Sequence, residues 1–307
     1  MTKYDVAIIG MGPAGITAGI YCSRYNLKTI VIGQIPAGTA AEAHLIYNYP
    51  GLNEIKGFEF SQKLLAHLKF TSAEIKFGKV DTISKDKDKD KFLISLGNEK
   101  ITAKKIIVAT GTKRKRLGLD TELKFHGKGV SYCATCDGML YKEKIVGVVG
   151  GGDAALSAAI LLAEYSKKVY IFYRKSEFFR AEPAWVDAVK SNKKIVPVFN
   201  SEIKEYHGKN NLESVMLNTG KEYKLDGIFL EIGALPNTEM LAELKLKKDE
   251  FGFINSDKYM QTSVMDVFVA GDVRSNVLKQ IVVACGEGAI AATSAYHNLT
   301  GRKKTGV

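Results

Sequence analysis

The chain opens with a short apolar run, a glycine-rich turn and an apolar segment of helical length. The apolar run is Asp5–Ile9, the turn spans 10–15, and the helical segment continues to about Tyr25 before a second apolar run at Thr29–Ile32. A continuous apolar run of this length, bounded by glycine, is typical of a buried strand in a parallel sheet. The order strand, turn, helix, strand predicts a βαβ unit.

The same pattern recurs later in the chain. The apolar run Ile145–Val149 leads into a turn at 150–155 and an Ala- and Leu-rich helix, and Lys168–Tyr173 follows as the next strand. A third apolar run, Val267–Ala270, ends in another glycine. The two turns begin 150 − 10 = 140 residues apart, which indicates two separate nucleotide-binding domains rather than short stacked repeats. We therefore predict an α/β fold with two Rossmann-like nucleotide-binding domains.

Composition narrows the class of protein. Hydrophobic residues make up 46% and charged residues 25% of the 307 positions, which excludes a mainly disordered chain. No run approaches the ~18 apolar residues of a membrane helix, and the first residues lack the pattern of a signal peptide, so we expect a cytoplasmic protein. The net charge of +11 permits nucleic acid, an anionic membrane or an acidic protein as partner without choosing among them.

The first turn has the dinucleotide fingerprint Gly10-x-Gly12-x-x-Gly15 between a strand and a helix. Its glycines permit a tight turn and close approach of a pyrophosphate to the helix N-terminus. The alternative is a tight turn that binds nothing. An acid usually ends the second strand of such a unit, but Gly33-Gln34 stands there, which weakens a ribose contact and leaves the pyrophosphate contact unaffected.

The second turn carries a variant of the fingerprint that begins at Gly150 and ends at Ala155. Arg174 and Lys175 follow its second strand, and Arg180 is close behind. Cations at this place suit a ribose 2′-phosphate, whereas an acid would suit a 2′-hydroxyl, so this unit favours NADP over NAD. The alternative is a solvated basic strand end.

Cys133 and Cys136 form a C-x-x-C followed directly by Asp137. A structural zinc site needs two further nitrogen or sulfur ligands, and the sequence has no second cysteine pair or Cys/His pair to supply them. A buried inert pair is a second alternative. We favour a redox disulfide, with Asp137 as proton donor or acceptor unless it is only a helix-cap residue. Cys22 and Cys285 are interpreted as packing residues.

Two nucleotide units and one redox disulfide together imply a flavin. A nicotinamide donates two electrons and a disulfide accepts two, and a flavin is the usual intermediary between them. The basic strand end assigns NADP to the second unit, which leaves FAD for the first.

With these features the chain resembles the low-molecular-weight thioredoxin reductases over nearly its whole length. The matching segments are Gly10–Gly15, Asn48–Gly51, Ala109–Gly111, Cys133–Asp137, Gly150–Gly152, Gly233–Asn237 and Ala270–Asp272. The resemblance implies two three-layer nucleotide-binding domains, with an FAD domain split around an inserted NADPH domain. We expect residues 1–117 and 246–307 to form the FAD domain and residues 118–245 to form the NADPH domain with the C-x-x-C. A homodimer is the usual assembly of the family.

The resemblance also implies the site residues. Cys136 would lie nearest the flavin, Cys133 would attack the disulfide of the partner, and Asp137 would be the acid–base group. The residues expected at FAD are Gly10, Gly12, Pro13, Ala14, Gly15, Gly38, Asn48, Thr110, Gly111, Gly271, Asp272, Lys279, Gln280 and Ile281. Those expected at NADPH are Gly150, Gly152, Asp153, Ala154, Arg174, Lys175 and Arg180, with Gly233 as a further cofactor contact. No metal is expected.

Several departures from the family pattern concern the electron donor. Arg180 comes one residue later than in the family, Ser157 replaces a usual Glu, and Lys279 replaces an Arg. NADPH remains the expected donor, with NADH, reduced ferredoxin and a deazaflavin as alternatives. The expected activity is thioredoxin-disulfide reduction by NADPH through FAD.

Two rival functions remain open from the sequence. The same machinery would serve another carrier, such as a glutaredoxin-like protein or a peroxiredoxin. A basic nucleic-acid-binding protein is disfavoured, because no motif combines basic and aromatic residues for stacking.

The run Lys113–Arg116, together with Lys128, is a candidate surface for docking an acidic partner, and a solvated surface is the alternative. We expect no nucleic acid and no membrane among the partners.

Overall fold

The computed structural model describes residues 2–43, 46, 48–86 and 91–301, without the side chains of Thr2 and Cys136. Its helices are α1 Pro13–Arg24, α2 Gly57–Lys69, α3 Glu122–Phe125, α4 Ala134–Asp137, α5 Asp153–Tyr165, α6 Pro183–Ser191 and α7 Ile281–Thr300. Its strands are β1 Thr2–Ile9, β2 Thr29–Gly33, β3 Glu74–Phe77, β4 Thr82–Asp86, β5 Lys91–Leu96, β6 Glu99–Val108, β7 Thr112–Arg114, β8 Val130–Ser131, β9 Ile145–Val149, β10 Lys168–Phe172, β11 Ile195–Val198, β12 Ile203–His207, β13 Ser214–Leu217, β14 Glu222–Lys224, β15 Gly227–Leu230, β16 Ala234–Pro236 and β17 Val267–Val269. Short 3₁₀ helices occur at Gly38–Glu42, Gly138–Tyr141 and Glu239–Leu244.

The chain divides into two compact units. The first comprises Met1–Lys113 with Leu235–Val307, and the second comprises Arg114–Ala234. The first unit is therefore discontinuous in sequence, and the second is inserted into it.

The first unit is built on a seven-stranded sheet in the order β3-β2-β1-β6-β5-β4, with β17 also paired to β6. The strands β3, β2, β1, β6 and β17 run parallel, whereas β5 and β4 are antiparallel additions. Because side chains alternate along a strand, Ile8 contributes to the core beneath α1 and α7, and Ile9 to the core on the opposite face. Both faces are buried, which is why β1 reads as a continuous apolar run.

The second unit contains a five-stranded parallel sheet in the order β11-β10-β9-β15-β8. Helices α5 and α6 cover one face, where Leu156 and Val189 join the core. The antiparallel sheet β12-β13-β14 covers the other face through Tyr206 and Val215. This arrangement of helix, parallel sheet and antiparallel sheet gives the three layers that the sequence predicts.

The unit boundaries differ from the predicted positions. The first crossing lies at 113/114 rather than 117/118, since Leu117 packs in the core of the second unit. The return crossing lies at 234/235 rather than 245/246, because Met240, Leu241 and Leu244 are buried in the core of the first unit. The described residues include no helix that is both long and apolar enough to cross a bilayer.

Candidate nucleotide and disulfide sites

The glycine turn of the first unit has the conformation that its sequence requires. Gly10 has a φ of +116°, and a Cβ there would lie 2.0 Å from the Ala109 carbonyl oxygen. A Cβ on Gly15 would lie 1.9 Å from the Gly10 carbonyl oxygen, so this position is restricted to glycine by packing. Gly12, the N-cap of α1, has no atom within 4 Å of the place where its Cβ would be. The turn therefore leaves open space above the helix N-terminus, which fits a bound pyrophosphate.

A cavity of about 440 Å³ opens beside this turn. It lies at the carboxyl ends of β1, β2, β6 and β17, where ligands bind in open α/β sheets. Twelve of the fourteen residues expected at FAD line it, namely Gly10, Gly12, Pro13, Ala14, Gly38, Thr110, Gly111, Gly271, Asp272, Lys279, Gln280 and Ile281. The open space at Gly12 and the mixed polar and apolar lining of the cavity fit a flavin adenine dinucleotide.

The two remaining residues of that set lie next to the cavity rather than in its wall. Gly15 packs beneath the turn against the Gly10 carbonyl. Asn48 reaches the cavity indirectly, because its Nδ2 donates to the Gln280 Oε1 at 3.0 Å. Their placement agrees with supporting roles.

Asn237 is a cavity residue that the site prediction did not include. The Thr110 hydroxyl donates to the Asn237 carbonyl at 2.6 Å, and the Asn237 N–H donates to the Gly111 carbonyl at 3.0 Å. These bonds tie the segment after β6 to the segment after β16. Asn237 ends the matching segment that begins at Gly233, so the sequence contained a signal for it. Gly233 itself belongs to the second unit and is not in the cavity wall.

Two oppositely charged residues, Asp272 and Lys279, line the cavity. Burial raises the pKa of the Asp272 carboxyl, a shift that the nearby Lys279 ammonium opposes and Glu287 reinforces. Burial also lowers the pKa of Lys279, against the effect of the same two carboxylates. The Lys279 Nζ donates to the carbonyl oxygens of Asp272 and Arg274 at 2.8 and 3.1 Å. Lysine at this position therefore holds the loop backbone.

The glycine turn of the second unit repeats the geometry of the first. Gly150 has a φ of +145°, and a Cβ there would lie 2.3 Å from the Glu231 carbonyl oxygen. Gly152, the N-cap of α5, again faces open space. Asp153 and Ala154 form the first turn of α5, and the Asp153 carboxylate accepts the Glu182 N–H at 2.7 Å. An anion at this helix N-terminus would meet free backbone N–H groups.

The three cations predicted to follow β10 are all exposed. No acidic side chain in the described ranges forms an ion pair with Arg174, Lys175 or Arg180. The Arg180 guanidinium lies 5.5 Å from the centre of the Phe179 ring, which stacks in turn on Tyr173 at 6.4 Å. These cations remain available to an anionic ligand.

The candidate docking cations are partly engaged. Lys113 forms an ion pair with Glu239, and Arg114 forms one with Glu231 at 3.0 Å. These pairings favour a structural role for the first half of the basic run.

Cys133 is disulfide-bonded, whereas Cys22 and Cys285 are free. The side chain of Cys136 lies outside the described part of the structure, so its pairing and its role stay predictions. Cys133 directly precedes the short helix α4, whose last residue is Asp137. No group of three or more His, Cys, Asp or Glu side chains within the described ranges is arranged to hold a metal ion.

Ser131 connects the disulfide segment to Asp137, a role that the sequence did not reveal. The Cys133 N–H donates to the Ser131 Oγ at 3.0 Å, and the Ser131 hydroxyl donates to the Asp137 Oδ2 at 2.7 Å. Ser131 is itself buried at the end of β8. The bonds fix the Asp137 carboxylate relative to the backbone of Cys133. A lone serine two residues before a cysteine is not a distinctive pattern, so this role could not be predicted from the sequence.

Comparisons with known proteins agree with this geometry. The family model described as pyridine nucleotide-disulphide oxidoreductase matches residues 4–288. Thioredoxin reductase of Bacillus subtilis (strain 168) is 38% identical over 301 residues, covering 96% of this chain and 94% of the relative.

Solved structures extend the similarity to the fold. The crystal structure of Lactococcus lactis thioredoxin reductase (FR conformation) has a TM-score of 0.93 at 34% identity, covering 97% of this chain and 99% of that chain. A ferredoxin-flavin thioredoxin reductase from Clostridium acetobutylicum has a TM-score of 0.55 at 31% identity, covering 98% and 100%. The resemblance and the fold class inferred from the sequence are thereby confirmed. The chain belongs to the pyridine nucleotide-disulphide oxidoreductase family and, within it, to the low-molecular-weight thioredoxin reductases.

Proposed function

We propose that this protein reduces the disulfide of thioredoxin with electrons from NADPH, which pass through FAD and a Cys133–Cys136 disulfide. The overall reaction converts NADPH, a proton and oxidised thioredoxin into NADP⁺ and thioredoxin dithiol. Membership of the family makes the protein an oxidoreductase that acts on a disulfide and uses a flavin and a pyridine nucleotide. The observation that carries the proposal is the disulfide at Cys133 in a unit that also bears an open glycine turn. We further propose a homodimer in the cytoplasm.

The cavity of the first unit supports FAD as its ligand. The backbone N–H groups at the start of α1 would bind the pyrophosphate, and Asp272 would bind the ribityl chain. When bound, FAD would accept two electrons from a nicotinamide and deliver them to a disulfide.

Cys133 is the proposed nucleophile toward the partner. Its thiolate, formed when the Cys133–Cys136 disulfide is reduced, would attack a sulfur of thioredoxin to form a mixed disulfide. Cys136 would then displace thioredoxin and restore the internal disulfide. Asp137 would move the proton that these steps require, and the hydrogen bond from Ser131 would orient its carboxylate.

Removing the Ser131 hydroxyl is expected to slow the disulfide steps. Ser131→Ala removes the hydrogen bond to Asp137 and the one from the Cys133 N–H. Losing the bond that orients Asp137, worth about 1 kcal/mol, corresponds to a rate loss of about fivefold to tenfold. Ser131→Thr keeps the hydroxyl and serves as control. The measurement is the single-turnover rate of thioredoxin reduction by the pre-reduced enzyme. Equal rates in Ser131→Ala and wild type would remove Ser131 from the account.

The exposed cations of the second unit support NADPH as the donor. Two cations directly after β10 would neutralise the ribose 2′-phosphate, which NADH lacks. We expect the double variant Arg174→Gln, Lys175→Gln to lower kcat/KM for NADPH by about tenfold to a hundredfold. The value for NADH should change less than about twofold, because no 2′-phosphate is present to lose its partners.

Steady-state kinetics with each nucleotide measure this discrimination. Lys190→Gln with Lys193→Gln removes two exposed positive charges elsewhere in the same unit and controls for net charge. Equal losses for NADPH and NADH in the first variant would contradict the assignment. If neither nucleotide supports turnover in the wild type, a donor of the kind named in the Clostridium acetobutylicum relative becomes the second candidate.

A further inference from the structure

The buried carboxylate of Glu287 has no part in the function proposed so far. It lies in α7, is 6% exposed, and does not line the cavity. Its two oxygens have separate donors: the Gly271 N–H reaches Oε2 at 2.8 Å, and the Arg274 guanidinium reaches Oε1 at 2.6 Å. A buried carboxylate with a charged partner and a backbone donor forms strong, directional bonds. One of those bonds ends on a residue of the cavity wall.

The turn held by Glu287 has little freedom to move. Gly271 has a φ of +79°, and a Cβ there would lie only 3.0 Å from the Cβ of Ala14, in the first turn of α1. Asp272 follows directly and lines the cavity. The position of the Gly271 N–H therefore constrains where the Asp272 backbone lies.

Glu287 is itself fixed with respect to the pyrophosphate-binding turn. The next residue, Gly288, packs so closely on α1 that a Cβ would lie 2.2 Å from the Ala14 carbonyl oxygen. Helix α7 thus crosses α1 at the helix turn that begins the cavity. Glu287 connects this crossing to the loop 271–276, and the Lys279 ammonium holds the same loop through two of its carbonyls.

We propose that Glu287, paired with Arg274, is a positioning residue that sets the Gly271–Asp272 turn against the N-terminus of α1 for binding of FAD. The proposal rests on the function assigned to the cavity above. Glu287 acts through Gly271 and Arg274 and does not touch the cofactor. In the folded apoprotein its carboxylate keeps the turn in the conformation that FAD requires, so binding does not have to order it.

The variant Glu287→Gln tests this role with little change of shape. Glutamine offers one acceptor oxygen and one NH₂ group, so either the Gly271 N–H or the Arg274 guanidinium faces a donor. We expect the dissociation constant for FAD to rise at least about tenfold. Arg274→Gln removes the guanidinium that pairs with Glu287 and is expected to weaken FAD binding in the same direction, so the test stands even if one variant fails to fold.

Asp266→Asn provides a matched control. Asp266 is also 6% exposed, lies in the same unit and forms a buried ion pair, with Lys105, but neither residue lines the cavity. Breaking a buried ion pair destabilises the fold wherever the pair lies, so Glu287→Gln, Arg274→Gln and Asp266→Asn should all lower the melting temperature of the apoprotein. Only Glu287→Gln and Arg274→Gln should raise the FAD dissociation constant.

Binding is measured by titrating the full-length apoprotein with FAD and following quenching of flavin fluorescence, beside apoprotein melting curves. An unchanged dissociation constant in Glu287→Gln would overturn the proposal. So would an equal rise in Glu287→Gln and Asp266→Asn, because it would reduce the effect to general stability. Failure of the wild type to bind FAD would instead overturn the function proposed for the cavity.

Discussion

Replacing Cys133 by serine is expected to lower the rate of thioredoxin reduction by at least about a thousandfold. A serine hydroxyl is a far weaker nucleophile than a thiolate near neutral pH, and serine cannot form the disulfide through which we propose that the electrons pass. NADPH should still reduce the bound flavin in this variant, because the glycine turns and the cations after β10 are unchanged. The loss is therefore expected in steady-state thioredoxin reduction and not in rapid-mixing measurements of flavin bleaching.

Cys22→Ser is the appropriate control for this substitution. Cys22 is free and fully buried in α1, and burial raises the pKa of its thiol to about 12. It is not a thiolate under assay conditions, so the control should retain thioredoxin reduction. Retention of more than about a tenth of the wild-type rate by Cys133→Ser would contradict the role assigned to Cys133.

Gly12→Val is expected to weaken FAD binding by at least about a hundredfold while the protein still folds. Gly12 has an extended backbone and no neighbour within 4 Å of its Cβ position, so a Cβ there meets no clash. Its side chain would occupy the space in which the pyrophosphate meets the N–H groups of α1, and the lost charge-assisted bonds account for the expected loss of affinity. Equilibrium titration with FAD measures the loss directly.

The control for Gly12→Val is a glycine with equal space and no place in the cavity. Gly286 in α7 also has nothing within 4 Å of its Cβ position and does not line the cavity, so Gly286→Val should bind FAD as the wild type does. By contrast, valine at Gly10 or Gly15 would overlap carbonyl oxygens and is expected to unfold the turn. Tight FAD binding by Gly12→Val would contradict the assignment of the pyrophosphate site.

The parallel core of each unit was well predicted, because its strands and helices appear in the sequence as local patterns of apolar residues. The run Asp5–Ile9 became the end of β1, and the helical segment expected to continue to about Tyr25 became α1. Both strands of each glycine unit are buried on two faces, which produces an unbroken apolar run. The unit boundaries were harder to predict from the sequence. The apolar residues of Glu239–Leu244 show that the segment is buried but not in which core, and only long-range packing decides this.

The candidate site shows the same division between local and long-range information. The glycine turns, the cations after β10 and the C-x-x-C have fixed spacings and were recognisable from the sequence. Ser131 and Glu287 were not, because a hydroxyl two residues from a cysteine and an acid within a helix are common. The role of each residue depends on a contact in the folded chain. Ser131 donates to Asp137, and Glu287 accepts from the backbone N–H of Gly271, sixteen residues earlier in the chain.

An anaerobic titration of the purified holoprotein with NADPH, followed by oxidised thioredoxin, tests the central claim most directly. We expect NADPH to bleach the flavin band at near-stoichiometric amounts, and oxidised thioredoxin to restore the band as its own disulfide is reduced. NADH should be required in larger excess, since it lacks the 2′-phosphate. A flavin that dithionite bleaches but neither nucleotide does would contradict the assigned donor, and a reduced flavin that thioredoxin does not reoxidise would contradict the assigned substrate.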